Sequence, residues 1–115
     1  MIKAALALVM ATLSTSQIDL IKKVGVVRVQ HVQTGDYDMK ANEVARAVRT
    51  NDGKKYILIN LDADLAEMDG WYWHEMAHLA AWEIHGEGID AHGPEFRKIC
   101  RQLVKERTNY YCGGD

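Results

Sequence analysis

Proline occurs once in these 115 residues, at Pro94, and cysteine twice, at Cys100 and Cys112. A single proline excludes a proline-rich linker. Two cysteines exclude a disulfide framework, and the one in the tail cannot build a four-ligand metal site. Cys100 falls on an apolar helical stripe and reads as core; Cys112 lies in the terminal YYCGGD, which reads as a frayed tail. The pair fixes no compartment. No apolar run is long enough to span a bilayer, so no integral membrane segment is expected, and no internal repeat is visible. Basic residues are missing from one long stretch: between Tyr56 and Phe96 there is no Lys or Arg, but nine acids. Most of those acids, taken singly, read as solvated loop and helix faces. Together they form an excess that a bound dication would partly relieve. The net charge of −2 argues against wholesale coating of nucleic acid. Basic flanks at Lys22–Arg28, Arg46–Lys55 and Arg97–Arg107 leave local DNA contact open.

What is present fits one small globular domain over residues 1–115, with 48% hydrophobic and 26% charged residues. The opening MIKAALALVMATLSTSQ has two readings. A lysine, a short apolar run and small polar residues resemble a secretory signal peptide over residues 1–16. The basic region is minimal, however, and no A-x-A site follows, so a first helix with Ile2, Leu6, Val9 and Leu13 on one face is preferred. A cytoplasmic location follows from that preference, and export from the alternative. Oligomeric state is not legible.

Ser16-Gln-Ile-Asp19 fits a cap for a short helix ending near Gly25. Residues 26–32, VVRVQHV, alternate and are β-branched, as in a strand. EVARAVRT and KKYILIN flank Asn51-Asp52-Gly53 as a β-hairpin. A helix from about Gly70 to His85, capped by Asp69, stops at Gly86. Pro94 opens another, with Phe96, Ile99, Cys100 and Leu103 on its apolar face. The order predicts an α+β domain: an N-terminal helix, a small sheet with a hairpin, then two helices. The tail begins near residue 109.

The helix over 70–85 contains HEMAH, residues 74–78. Four residues turn a helix through roughly 400°, so His74 and His78 share a face about 6 Å apart along the axis, a span one tetrahedral cation bridges. Glu75 sits beside that face, where a carboxylate can take a proton from an activated water. The pattern points to a zinc hydrolase that needs a third ligand. On a continuous helix His85 lies roughly 10 Å beyond His78, too far to share a metal. The glycine that would break the helix earlier is absent, because Ala81 and Ile84 stand where the metzincin pattern has its glycine and third histidine. His92 lies in the loop past Gly86 and Gly88, directly before Gly93-Pro94, and is the better candidate. Glu95 competes with it from the first turn of the next helix. His31, in a strand, reads as a surface histidine. Trp71 and Trp82 share a face with Glu75 and His78; they either wall the site or are core, and for Trp82 core is preferred.

HEMAH, a spacer of thirteen residues and HGPEF at 92–96 resemble the SprT-like, or Spartan-type, zinc metallopeptidases over roughly residues 56–104. The resemblance implies a small zincin-like domain with one catalytic Zn²⁺ on His74, His78 and His92, Glu75 as the base and Phe96 as a packing aromatic. It implies a metalloendopeptidase with a protein or peptide substrate, acting on DNA-associated proteins. The cysteine-rich zinc ribbon with which bacterial members often continue is not seen, which weakens a borrowed DNA role. The reading from another class is a zinc-stabilised module that binds nucleic acid or protein without catalysis. For a peptidase, the edge of the sheet at residues 56–60 is the expected place for an extended substrate.

Overall fold

In a computed structural model, residues 13–113 are described, and most of the N-terminal helix or signal peptide expected over residues 1–16 lies outside them. Helix α1, Thr15–Val24, starts from Ser14, whose hydroxyl accepts from the Gln17 N–H while the Gln17 side chain accepts from the Ser14 N–H. This reciprocal cap lies two residues before the expected one and satisfies donors that a helix start leaves unpaired. Gly25 ends the helix at φ 81°, a conformation that costs glycine little. The buried Gln17 amide also donates to the Leu103 carbonyl (3.0 Å), which ties α1 to the C-terminal helices.

The sheet has the order β1-β3-β2, with β1 Arg28–Val32, β2 Ala45–Arg49 and β3 Lys55–Asn60. The hairpin forms where the NDG turn predicts it, with Gly53 at φ 85°. Strand β1, however, pairs parallel with β3, so β3 is the central strand and the expected free edge at 56–60 does not exist. Ile57, Leu58, Ile59 and Asn60 of β3 are buried. The edge facing the helices belongs to β2. Asn60 N–H donates to the Val44 carbonyl (2.9 Å), so the alternation of an antiparallel ladder turns the backbone groups of Ala45, Ala47 and Arg49 away from β3. The fully buried Asn60 amide also donates to the Lys40 and Glu43 carbonyls (3.1 and 3.0 Å), fixing the loop that delivers β2.

After a 3₁₀ turn, Leu65–Glu67, helix α2 runs Met68–His85 and ends at Gly86, φ 82°. The expected Asp69 cap is replaced by Glu67, which makes no side-chain cap bond. Residues 74–81 are buried, against the sheet on one side and α3, Pro94–Leu103, on the other. Phe96, Ile99, Cys100 and Leu103 of α3 are buried, as their spacing requires. Burying Phe96 completely contributes about 1.5–3 kcal/mol. The fold is therefore α+β, and among the described residues no helix is long and apolar enough to cross a membrane.

The tail differs from expectation. Thr108–Cys112 forms a short helix, α4, and Cys112 is 2% exposed and disulfide-bonded to Cys100. Tyr111 lies flat against Gly70, where an added Cβ would sit 2.1 Å from the ring. The absent side chain at Gly70 is what lets α4 dock on α2.

Candidate metal centre

His74 and His78 project from the buried middle of α2, and His92 reaches them from the loop before α3. The three rings offer ligand nitrogens that all lie within 4.8 Å of one another. His78 Nε2 and His92 Nε2 are 3.2 Å apart. Nitrogens sharing one tetrahedral zinc at 2.0–2.1 Å stand roughly 3.3 Å apart, so the cluster needs only a modest closing of its longest side. His85, at the end of α2, and His31 are exposed and outside the cluster, and the half-buried Glu95 is also outside it.

Phe96 holds the rings in place. It stacks on His78 with centroids 4.2 Å apart and meets His74 and His92 edge-on at 5.0 and 5.1 Å. The loop carrying His92 is pinned by Arg97, whose guanidinium donates to the His92 carbonyl (3.0 Å). Gly93 is packed so closely that an added Cβ would lie 3.0 Å from Asp90 Cβ.

His74 Nδ1 is 2.5 Å from the Tyr111 carbonyl oxygen. A carbonyl can only accept, so Nδ1 carries the proton and Nε2 presents its lone pair. This is the outer contact a metal-ligating histidine needs. The partner is a backbone group, which no residue type announces.

Glu75 is buried beside the cluster. Its Oε1 accepts from the Ala47 N–H (2.9 Å) on the outer edge of β2, and its Oε2 lies 3.9 Å from His74 Nε2. One oxygen is thus fixed and the other faces the rings. Glu75 and the three histidines line a cleft of about 410 Å³ with Trp71, Arg46, Glu43 and Tyr110. Trp71 walls it, 5.1 Å from the His74 ring. Trp82 stacks on His78, half-buried and outside the cleft lining. Glu67 steadies the Trp71 wall by accepting from Trp71 Nε1 (3.2 Å) and the Tyr110 hydroxyl (3.1 Å). Arg46 is clamped by Glu43, at 2.6 and 2.7 Å, and by the Tyr37 carbonyl. Its charge is spent on the cleft rim.

In the cation-free protein, burial holds the His78 ring down to about 3, with His74 and His92 adding to the effect. Burial lowers His74 as well. The α2 rings are therefore neutral donors near neutral pH. Burial pushes Glu75 up to about 8, against the opposing Ala47 N–H. An acid whose folded pKa is raised contributes stability below its unfolded value, near 4.5, and loses it as pH rises through about 8. Glu75→Gln cannot ionise. Without metal, the variant is expected to be about 2–4 kcal/mol more stable than wild type at pH 8.5 and nearly equal at pH 4.5. Urea unfolding at both pH values measures this; equal stabilities at pH 8.5 would contradict it. The opposite loss from His78, as pH falls below 6.5, is common to both proteins and cancels.

The donor set fits zinc: three imidazoles within reach of one centre, no thiolate among them, and a carboxylate held just off it. A model of the SprT-like family matches residues 20–112, most of the chain. No curated protein and no solved structure matches it.

Proposed function

The chain belongs to the SprT-like family, and from that membership and its site we propose that it is a zinc-dependent endopeptidase. The observation that carries the reading is Glu75. A purely structural metal site has no use for a buried carboxylate aimed along its edge and open to a cleft.

When bound, the cation supplies Lewis acidity, acidifying a water and polarising the substrate carbonyl. His74, His78 and His92 would hold it at the wall of the cleft. Glu75 Oε2 accepts the water's proton as its oxygen attacks the carbonyl carbon, then returns that proton to the leaving amine. The Ala47 N–H fixes Oε1, so Oε2 is the oxygen that cycles. An extended substrate pairs with the outward backbone groups of Ala45 and with the Ala47 carbonyl on β2, beside the three rings, while the Ala47 N–H stays on Glu75. Main-chain pairing gives affinity with little sequence preference.

DNA contact remains part of the proposal through exposed basic groups near α1 and near α3. Arg46 is clamped by Glu43, and Lys55 pairs with Glu83 (3.3 Å), so the flank at 46–55 is largely engaged within the fold. Lys22 and Lys23 at the end of α1, Arg28 at the start of β1, and Lys98 and Lys105 on and just beyond α3 are exposed basic groups for such a role. The disulfide favours the exported alternative over the cytoplasm, since such bonds persist in oxidising surroundings.

The test is cleavage of an unfolded protein by the zinc-loaded chain, with Glu75→Gln as the matched control. New amino termini produced by wild type alone support the reading. A wild-type chain that binds zinc and cleaves no unfolded protein would favour the non-catalytic module instead.

A further inference from the structure

The helix α4 has five residues, Thr108–Cys112, far too few to hold helical form unaided. It follows Arg107 in a left-handed conformation (φ 54°) and has no side-chain cap. Its position depends on contacts elsewhere: Tyr111 on Gly70 and edge-on to Trp71 at 5.1 Å, Arg101 donating to the Gly113 carbonyl (2.9 Å), and the covalent bond to Cys100. Yet α4 delivers the carbonyl that orients His74, and Cys100 Sγ lies 4.0 Å from that oxygen. The other end of the bond is on α3, whose first turn follows His92 by two residues. One disulfide therefore joins the supports of two of the three ligands.

We propose that Cys100–Cys112 is a redox-sensitive positioning device for the metal centre: it keeps the Tyr111 carbonyl on His74 Nδ1, and opening it lowers metal affinity. This rests on the metal centre proposed above. Opening is a two-electron step. A dithiol reductant's thiolate attacks one sulfur, its second thiol resolves the mixed disulfide, and the reductant leaves as its own disulfide while both cysteines become thiols. Without the bond, α4 relies on its weak non-covalent docking, and the His74 ring loses a fixed tautomer and angle. A reducing compartment would thus hold the centre in a weaker-binding form.

The experiment titrates zinc into the full chain against a chromophoric chelator, in three states: oxidised, reduced by a phosphine that is then removed, and Cys100→Ser with Cys112→Ser. In the reduction the phosphine becomes its oxide, taking oxygen from water. The serine variant prevents freed thiols from binding zinc themselves, and its value decides. The expected result is one zinc in the oxidised chain and a dissociation constant about 10–100-fold higher in the serine variant, with helical far-UV signal retained. In the same variant, the slowly exchanging His74 Nδ1 proton seen by ¹⁵N-imidazole NMR is lost. Equal affinity in the oxidised chain and the serine variant overturns the proposal. So does global unfolding of both the reduced chain and the variant, which makes the bond a staple of the whole fold. An oxidised chain that takes no zinc would instead sink the metal centre itself, and this inference with it.

Discussion

Replacing Glu75 by glutamine is expected to lower peptide hydrolysis by about 10²–10⁴-fold, the range for removing a positioned general base, while zinc stoichiometry stays at one. The substitution isolates the chemistry unusually well. Glutamine has nearly the same shape, and its Oε1 can still accept from the Ala47 N–H, so the edge of β2 keeps its anchor. The three imidazoles are untouched, and the variant should fold at least as well as wild type, since a buried acid has been replaced by a group that never ionises. Lost activity therefore cannot be assigned to lost structure. The pairing of full zinc occupancy with absent cleavage is what the assignment requires; a variant that cleaves at wild-type rate would remove Glu75 from the mechanism.

His92→Ala tests the third ligand. Zinc binding to a four-ligand site is worth about 10–16 kcal/mol, or roughly 2.5–4 per ligand, so losing one should weaken binding on the order of 10²–10³-fold. His92 is exposed, in contrast to His74 and His78, so its removal leaves little void in the core. The effect should appear in zinc-dependent stability. At zinc 100-fold above its dissociation constant the wild type gains about 2.7 kcal/mol, and a variant binding 100-fold more weakly gains about 0.4. Thermal unfolding with and without zinc reads this directly. Equal stabilisation of both proteins would mean that His92 is not a ligand.

The parts of the site legible in the sequence were those set by local geometry. The shared face of His74 and His78 follows from helical pitch alone, and Gly86 and Pro94 bound the two helices where their backbone preferences require. The approach of His92 followed from a loop short enough to fold back between those helices. What was not legible depends on pairs distant in the chain. Nothing in VVRVQHV announces that β1 lies parallel to β3, and that pairing moves the free edge from residues 56–60 to Ala45 and Ala47. Cys112 looked frayed because TNYYC has too few turns to show a period; its order comes from Gly70, Trp71 and Cys100. The partners of His74 and Glu75 are a carbonyl and an N–H of the main chain, present at almost every residue and so invisible in any one.

The central claim is that His74, His78 and His92 together hold one zinc and leave its fourth direction to the cleft. Diffraction from zinc-loaded crystals, collected on both sides of the zinc absorption edge, tests it most directly. The account predicts a single anomalous peak about 2.0–2.1 Å from a ring nitrogen of each histidine, with solvent alone on the side facing Glu75 and Trp71. A peak away from His92, or a fourth side chain bound where solvent should be, would contradict it.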